Sequence, residues 1–163
     1  MSSSSPSGGG ARSAEGASPR PLAETPLHAQ APPPSPDGAP LLTARILILG
    51  QDVNTALPPG MSAEKVTAGL TQAKASLRAQ GHEVDELQVQ PDPAAAEAEI
   101  AAQLAGPAYD VIVIGAGIRN PPPSLLRFET VVNAVHRLAP TARVAFNTRP
   151  EDSDVAGERW VGR

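Results

Sequence analysis

The chain lacks several residue types and patterns that whole functional classes require. It has no cysteine, which excludes disulfide bonds, thiol catalysis and thiolate metal sites. One Trp, one Tyr and two Phe are too few to predict an aromatic sandwich around a flavin. No apolar run approaches the roughly 20 residues that cross a bilayer, and the net charge of −4 forms no basic stripe. We therefore expect a cytoplasmic protein with no nucleic-acid partner and no membrane partner.

The first 43 residues differ in composition from the rest of the chain. Ser, Pro, Gly and Ala dominate them, and large apolar side chains are few. Such a segment buries too little apolar surface to offset its ordering entropy, roughly 1–2 kcal/mol per residue. We predict a disordered tail over residues 1–43 and one compact domain over residues 44–163. Within the tail, Pro32–Pro36 fits either a polyproline II peptide ligand or a stiff linker.

Strand patterns and helix patterns alternate through the compact domain. Apolar segments predict strands over residues 44–50, 82–89, 109–115 and 142–147. Helices are predicted to start at Ser62, at Asp92, after the prolines 121–123, and at Thr148 through its capping-box spacing to Glu151. Gly81 is predicted to end the first helix. This alternation implies a parallel sheet with right-handed crossovers.

The strand compositions predict the strand order. The first and third strands are apolar throughout and should be central, whereas the charged second strand and the more polar fourth strand should lie outside them. The predicted fold is therefore a three-layer α/β domain with strand order 2-1-3-4, a flavodoxin-like arrangement one strand short.

Apolar spacing predicts which helix faces are buried. The first helix should bury Val66, Leu70, Ala73 and Leu77, and the third should bury Leu125, Phe128, Val132, Val135 and Ala139. Right-handed connections leave part of one sheet face beside the first helix uncovered. Either the last helix covers it through Val155 and Trp160, or a second subunit does, and we expect a homodimer.

A ligand site is predicted where the first and third strands end, because open α/β sheets bind ligands at that edge. Glycines there let the backbone approach a ligand closely, and arginines could hold a phosphate or carboxylate. The alternative is that the glycines only form a turn and Arg119 pairs with Asp52. The predicted ligand-binding residues are Gly50, Asp52, Gly115, Gly117, Arg119, Asn120, Asn147 and Arg149.

No cofactor, metal or catalytic motif is predicted. A dinucleotide fingerprint would need glycine where Asn120 stands, and it would follow the first strand rather than the third. A receiver domain would carry a phosphorylatable Asp where Gly115 stands. His82 and His136 are predicted to lie at the opposite end of the sheet from the ligand site, so neither serves it as a general base.

Several stretches between residues 44 and 150 carry a family resemblance: Ile46–Gly50, Leu57–Met61, Tyr109–Pro123, Phe128-Glu129 through Val135-His136, and Ala145–Thr148. With these stretches, residues 44–150 resemble a family of short, uncharacterised bacterial α/β proteins of flavodoxin-like or Rossmann-like type. The resemblance implies the α/β fold and carries no activity with it.

Three functions remain open from the sequence. The first is binding of a small anionic metabolite at the carboxyl ends of the strands in a non-catalytic role. The second is a homodimeric interaction module without a ligand. The third is an enzyme of unknown class that uses Asp52, with Asn147 and Thr148 as hydrogen-bonding groups.

Overall fold

The computed structural model describes residues 42–55, 57, 60–120 and 124–163, all within one compact unit, Ala39–Arg163. Apart from Leu42 and Thr43, the predicted tail lies outside the described residues, and so does the polyproline segment at residues 32–36. The prolines at 121–123 lie outside them as well.

The described chain forms a four-stranded parallel sheet with helices on both faces. The strand order is β2-β1-β3-β4, so the predicted α/β class and the order 2-1-3-4 are confirmed. The elements are β1 (Arg45–Gln51), α1 (Ala63–Ala79), β2 (Glu83–Val89), α2 (Pro93–Leu104), β3 (Val111–Ile114), α3 (Ala116–Arg119), α4 (Leu125–Leu138), β4 (Arg143–Phe146), a 3-10 turn (Pro150–Asp152) and α5 (Ser153–Glu158).

The central strand β1 is apolar because both of its faces are covered. Leu47 and Leu49 point into the layer formed by α2 and α4, whereas Ile46 and Ile48 point into the layer of α1 and α5. All four side chains are fully buried. Burying such a side chain stabilises the fold by roughly 1.5–3 kcal/mol, which favours the two apolar strands at the centre of the sheet.

The helix boundaries follow the capping signals in the sequence. Ser62 Oγ accepts a hydrogen bond from Lys65 N at 3.3 Å, and Asp92 Oδ1 accepts one from Ala95 N at 2.8 Å. Gly81, with φ of 94°, follows α1 in the left-handed conformation that glycine adopts most readily. The predicted apolar stripe of α1 is buried, as expected.

The buried face of α4 is rotated from the predicted one. Leu125 is 61% exposed rather than buried. Phe128, Val132 and Ala139 are only partly buried against the core, whereas Arg127 is buried. The prediction was wrong at Leu125 because the first turn of α4 directs an arginine, not a leucine, toward the sheet.

The last helix covers the sheet face beside α1, but not through the predicted residues. Val155 and Trp160 are exposed, whereas Ala156 and Gly157 are buried. A Cβ at Gly157 would lie 3.5 Å from Ile46 methyl groups, so the small residues allow close packing against the sheet. The predicted capping box was also displaced by one residue, because Asp152 rather than Glu151 accepts the cap hydrogen bonds.

Both described histidines lie away from the carboxyl edge of the sheet. His82 is buried at the amino end, where Nδ1 accepts from Ala44 N at 3.1 Å and Nε2 contacts Glu158. His136 is exposed in the last turn of α4. Within the described part of the chain, no helix has the length and apolar character needed to span a membrane.

Candidate functional site

A cleft of about 260 Å³ opens at the carboxyl ends of β1, β3 and β4, at the predicted edge of the sheet. The tips of β1 and β3 meet there, because Leu49 pairs with Ile114 and Gly115 N donates to Leu49 O at 2.8 Å. Parallel pairing therefore brings two segments 65 residues apart in sequence to one rim, Gly50 from β1 and Gly115 from β3.

The cleft walls are largely aliphatic. Ile48 comes from β1, Val66 and Leu70 from the first turns of α1, and Leu57 and Met61 from the connection before α1. The other described lining residues come from the strand ends and the segments that follow them: Leu49, Gly50, Gln51, Gly115, Ala116, Gly117, Asn120, Asn147, Thr148, Arg149 and Pro150.

Six of the eight predicted ligand-binding residues line the cleft, and two do not. The two outside the lining are Asp52 and Arg119. The six within it are Gly50, Gly115, Gly117, Asn120, Asn147 and Arg149.

Gly50 and Gly115, at the ends of β1 and β3, have different structural roles. A Cβ at Gly115 would lie 2.8 Å from Leu49 O, whereas a Cβ at Gly50 would meet no heavy atom within 4 Å. Gly115 is therefore needed for the contact between β3 and β1. Gly50 leaves open space beside Ile48, whose face of the sheet it shares.

The segment after β3 is a one-turn helix rather than an open glycine loop. Ala116 N donates to Asn147 Oδ1 at 2.7 Å, and Asn147 Nδ2 donates to Ser153 Oγ at 2.8 Å. Asn147 is buried and connects α3 to α5. The amide and the Ala116 N–H are thus already hydrogen-bonded within the protein.

Arg119 points away from the cleft. Its guanidinium lies 5.5 Å from the centre of the Phe146 ring, donates to Asn147 O, and donates to Asn120 Oδ1 at 3.2 Å. It does not pair with Asp52, so the simple ion-pair alternative is wrong. Its hydrogen-bond partner Asn120 does line the cleft.

Asp52 acts in a local turn. Its carboxylate accepts from Asn54 N and Asn54 Nδ2, each at 2.9 Å, and from Gln90 Nε2 at 2.8 Å. The Asn54 backbone N–H, followed by the Gln90 side chain, lowers the pKa of Asp52 below its ordinary value. A carboxylate stabilised in this way is a weaker base, and it lies outside the cleft, which disfavours catalysis by Asp52.

Arg149 is the cationic residue among the described residues that line the cleft. Its side chain is 69% exposed, and Nε lies 3.8 Å from Glu151 Oε1. Asp152 holds the backbone here by accepting from Thr148 N at 3.0 Å and Arg149 N at 3.1 Å. Burial raises the pKa of Asp152, but the hydrogen bonds from Thr148 and Arg149 outweigh it, so the pKa is lowered overall.

A second arginine lies behind the cleft wall and was not predicted. Arg127 is only 4% exposed, and its Nη2 donates to Ser124 Oγ at 2.8 Å, Gly117 O at 3.0 Å and Gln51 Oε1 at 3.1 Å. No carboxylate in the described part of the chain pairs with it, and burial lowers its pKa. The sequence signal was the spacing of Arg127 at i−4 and i−7 from Val131 and Ala134, which places it on the buried stripe.

The contacts of Arg127 extend to the connection that forms one cleft wall. Gln51 accepts from Arg127 through Oε1 and donates through Nε2 to Thr55 Oγ1 at 2.9 Å. Thr55 Oγ1 in turn donates to Asp52 O at 2.6 Å. This chain of hydrogen bonds joins α4 to the connection that carries Leu57 and Met61.

No protein-family model matches the chain, and no curated protein is significantly similar to it. Over the described ranges, no three His, Asp or Glu side chains lie close enough to hold a metal ion.

Proposed function

We propose that the protein binds a small anionic ligand in the cleft at the carboxyl edge of the sheet, in a non-catalytic role. The observation that carries this proposal is the combination of a preformed cleft of about 260 Å³ with a cationic residue, Arg149, in its lining. Pockets of this kind, apolar with a few placed polar groups, are typical of small-molecule sites.

The chemistry of the lining supports binding rather than catalysis. Of the described residues that line the cleft, Arg149 is the one with an ionisable side chain. A guanidinium stays protonated in proteins and does not exchange protons with a substrate near neutral pH. The polar groups at the rim can therefore select and orient a ligand, which suits a sensory or regulatory domain.

Native mass spectrometry of the purified chain, followed by ligand-observed NMR with a library of small anions, tests this proposal. We expect a co-purified small molecule or a set of NMR hits, and weaker binding in Arg149→Gln. Arg159→Gln is the matched control, because Arg159 is also exposed but lies by Glu158, which contacts His82 at the amino end of the sheet. Absence of any hit, or equal loss in both variants, would contradict the proposal.

A second candidate is a homodimer formed through β4. Charged side chains protect the edge strand β2 against pairing with a strand of another molecule. Arg78 Nη2 donates to Val84 O at 2.8 Å, and Lys74 pairs with Glu86. The β4 edge instead carries Phe146, which is 39% exposed. Light scattering of the wild type and of Phe146→Lys tests the dimer, and a monomeric wild type at high micromolar concentration would exclude it.

Location and kinship are inferred from the sequence. The lack of cysteine suits a cytoplasmic protein. We further infer that the domain is flavodoxin-like and related to the short bacterial α/β family that residues 44–150 resemble, because the strand order agrees with that expectation.

A further inference from the structure

We propose that the ligand is an apolar monocarboxylate of roughly ten non-hydrogen atoms, with its carboxylate held between Arg149 and the side-chain amide of Asn120. This inference rests on the proposed function and specifies the ligand class of the same cleft. The size follows from the volume: a cavity of about 150 Å³ holds benzene, and this cleft measures about 260 Å³.

The walls define the body of the ligand. Ile48, Val66 and Leu70 form an apolar wall between sheet and helix, and Leu57 and Met61 contribute further aliphatic surface. Sugars and other polyhydroxylated bodies would leave their hydroxyl groups without partners against such a wall. An aromatic or branched aliphatic body fits it, and each buried methylene should tighten binding by about fourfold.

Two donors at the rim define the head group. Asn120 and Arg149 both line the cleft. Because a guanidinium only donates, the amide oxygen of Asn120 must face Arg119, which leaves Nδ2 as the group available to a ligand. No hydrogen-bond acceptor among the described residues engages Nδ2. One charged donor and one neutral donor suit the two oxygens of a carboxylate.

The same positions disfavour a phosphate. A phosphate monoester carries about −1.5 to −2 charge at pH 7 and three acceptor oxygens. The cleft offers Arg149, whose charge is partly offset by Glu151 at 3.8 Å. The N–H groups of Gly115 and Ala116 are already bonded to Leu49 O and Asn147 Oδ1, so they are not available to a phosphate.

A matched series of ligands tests the class. We would titrate 3-phenylpropanoate, its neutral amide 3-phenylpropanamide, 2-phenylethyl phosphate and acetate into the isotope-labelled protein, and measure Kd by NMR. We expect the carboxylate to bind at least tenfold more tightly than the amide, the phosphate and acetate. Arg149→Gln should weaken the carboxylate about tenfold and leave the amide unchanged, and Arg159→Gln should alter neither.

The role of Arg119 is tested separately, because it acts through Asn120. Asn120→Ala should weaken the carboxylate severalfold, and Arg119→Met should do so to a similar degree in the wild-type background. In the Asn120→Ala background, Arg119→Met should have no further effect on Kd. A merely structural Arg119 would lower affinity equally in both backgrounds, and that result would overturn its positioning role.

The outcomes separate the two levels of the proposal. If the amide or the phosphate binds in the cleft as tightly as 3-phenylpropanoate, the monocarboxylate class is wrong while the cleft remains a binding site. If no compound of the series and no member of a general anion library shifts the resonances of Gly50, Gly117 and Leu70, the proposed function fails as well.

Discussion

Replacing Gly115 by alanine should separate the tips of β1 and β3, on which the cleft depends. The added methyl group would lie 2.8 Å from Leu49 O, a backbone atom of the neighbouring strand that cannot rotate away. Relief requires the end of β3 to move, and the hydrogen bond from Gly115 N to the same oxygen would lengthen. The substitution therefore perturbs packing and hydrogen bonding at one point.

The expected loss of stability follows from two destabilising effects and one stabilising effect. Overpacking a well-packed site costs about 1–3 kcal/mol, and weakening one backbone hydrogen bond costs about 1 kcal/mol. Alanine also restricts the unfolded chain, which offsets roughly 0.4–1 kcal/mol. We expect Gly115→Ala to lower the free energy of unfolding by about 2–3 kcal/mol.

Urea denaturation monitored by far-UV circular dichroism measures this change, with Gly50→Ala as the matched control at the end of the adjacent strand. A methyl group at Gly50 meets no heavy atom within 4 Å, and Gly50 is not in the left-handed conformation. The control should be as stable as the wild type or up to about 1 kcal/mol more stable. Equal unfolding midpoints for the two variants would refute the close approach of the strands at Gly115.

Three further predictions concern the cleft, the segment beside it and the amino end of the sheet. Gly50→Leu should fill the cleft and abolish binding of 3-phenylpropanoate in an NMR titration, while the free energy of unfolding changes by less than about 1 kcal/mol. Asp152 has a lowered pKa in the folded state, so its contribution to stability should be present at neutral pH and be lost as the pH falls below about 4; in urea denaturation, Asp152→Asn should be less stable than the wild type at pH 7 and closer to it at pH 3. His82→Ala leaves the buried Ala44 N–H without its acceptor and should cost about 1–3 kcal/mol, whereas the exposed His136→Ala should change stability by less than about 0.5 kcal/mol; equal losses in the two variants would contradict this reasoning.

Local signals in the sequence were sufficient to predict the fold. A strand that is covered on both faces is apolar at successive positions, whereas a more exposed strand also carries polar residues. The apolar strands β1 and β3 could therefore be placed at the centre of the sheet. The caps at Ser62 and Asp92 and the turn at Gly81 depend on neighbours within a few residues. Such features need no knowledge of tertiary structure.

The buried faces of α4 and α5 could not be predicted from local spacing. Which side of α4 is buried depends on Arg127 reaching Gly117 O and Gln51 Oε1, and these acceptors come from two other elements. Which side of α5 is buried depends on how closely Gly157 approaches Ile46. Both outcomes are set by contacts between segments distant in sequence, which periodicity within one helix does not contain.

The candidate site likewise has features that the sequence predicts and features that depend on tertiary contacts. The meeting of Gly50, Gly115 and Arg149 at one edge follows from parallel topology, and the sequence predicted it. The direction of each arginine side chain does not follow from topology. It depends on which hydrogen-bond acceptors of neighbouring residues lie within reach of the guanidinium. Phe146 lies opposite Ile114 in the β3–β4 register, and the Arg119 guanidinium lies over the Phe146 ring rather than among the residues that line the cleft.

The distribution of the arginines explains why a largely aliphatic cleft lies at an edge rich in polar residues. Arg119 and Arg127 donate to neutral oxygens of the protein, and Nε of each is buried without a partner in the described structure. Neutral acceptors satisfy their hydrogen bonds but not their charge, so Arg127, which lies behind the cleft wall, keeps the surroundings of the cleft positive. Under the proposal, Arg149 would supply the direct contact, because it belongs to the cleft lining. The preference for an anion would thus come partly from a charge that never touches it, whereas the choice among anions would fall to Asn120 and the aliphatic walls.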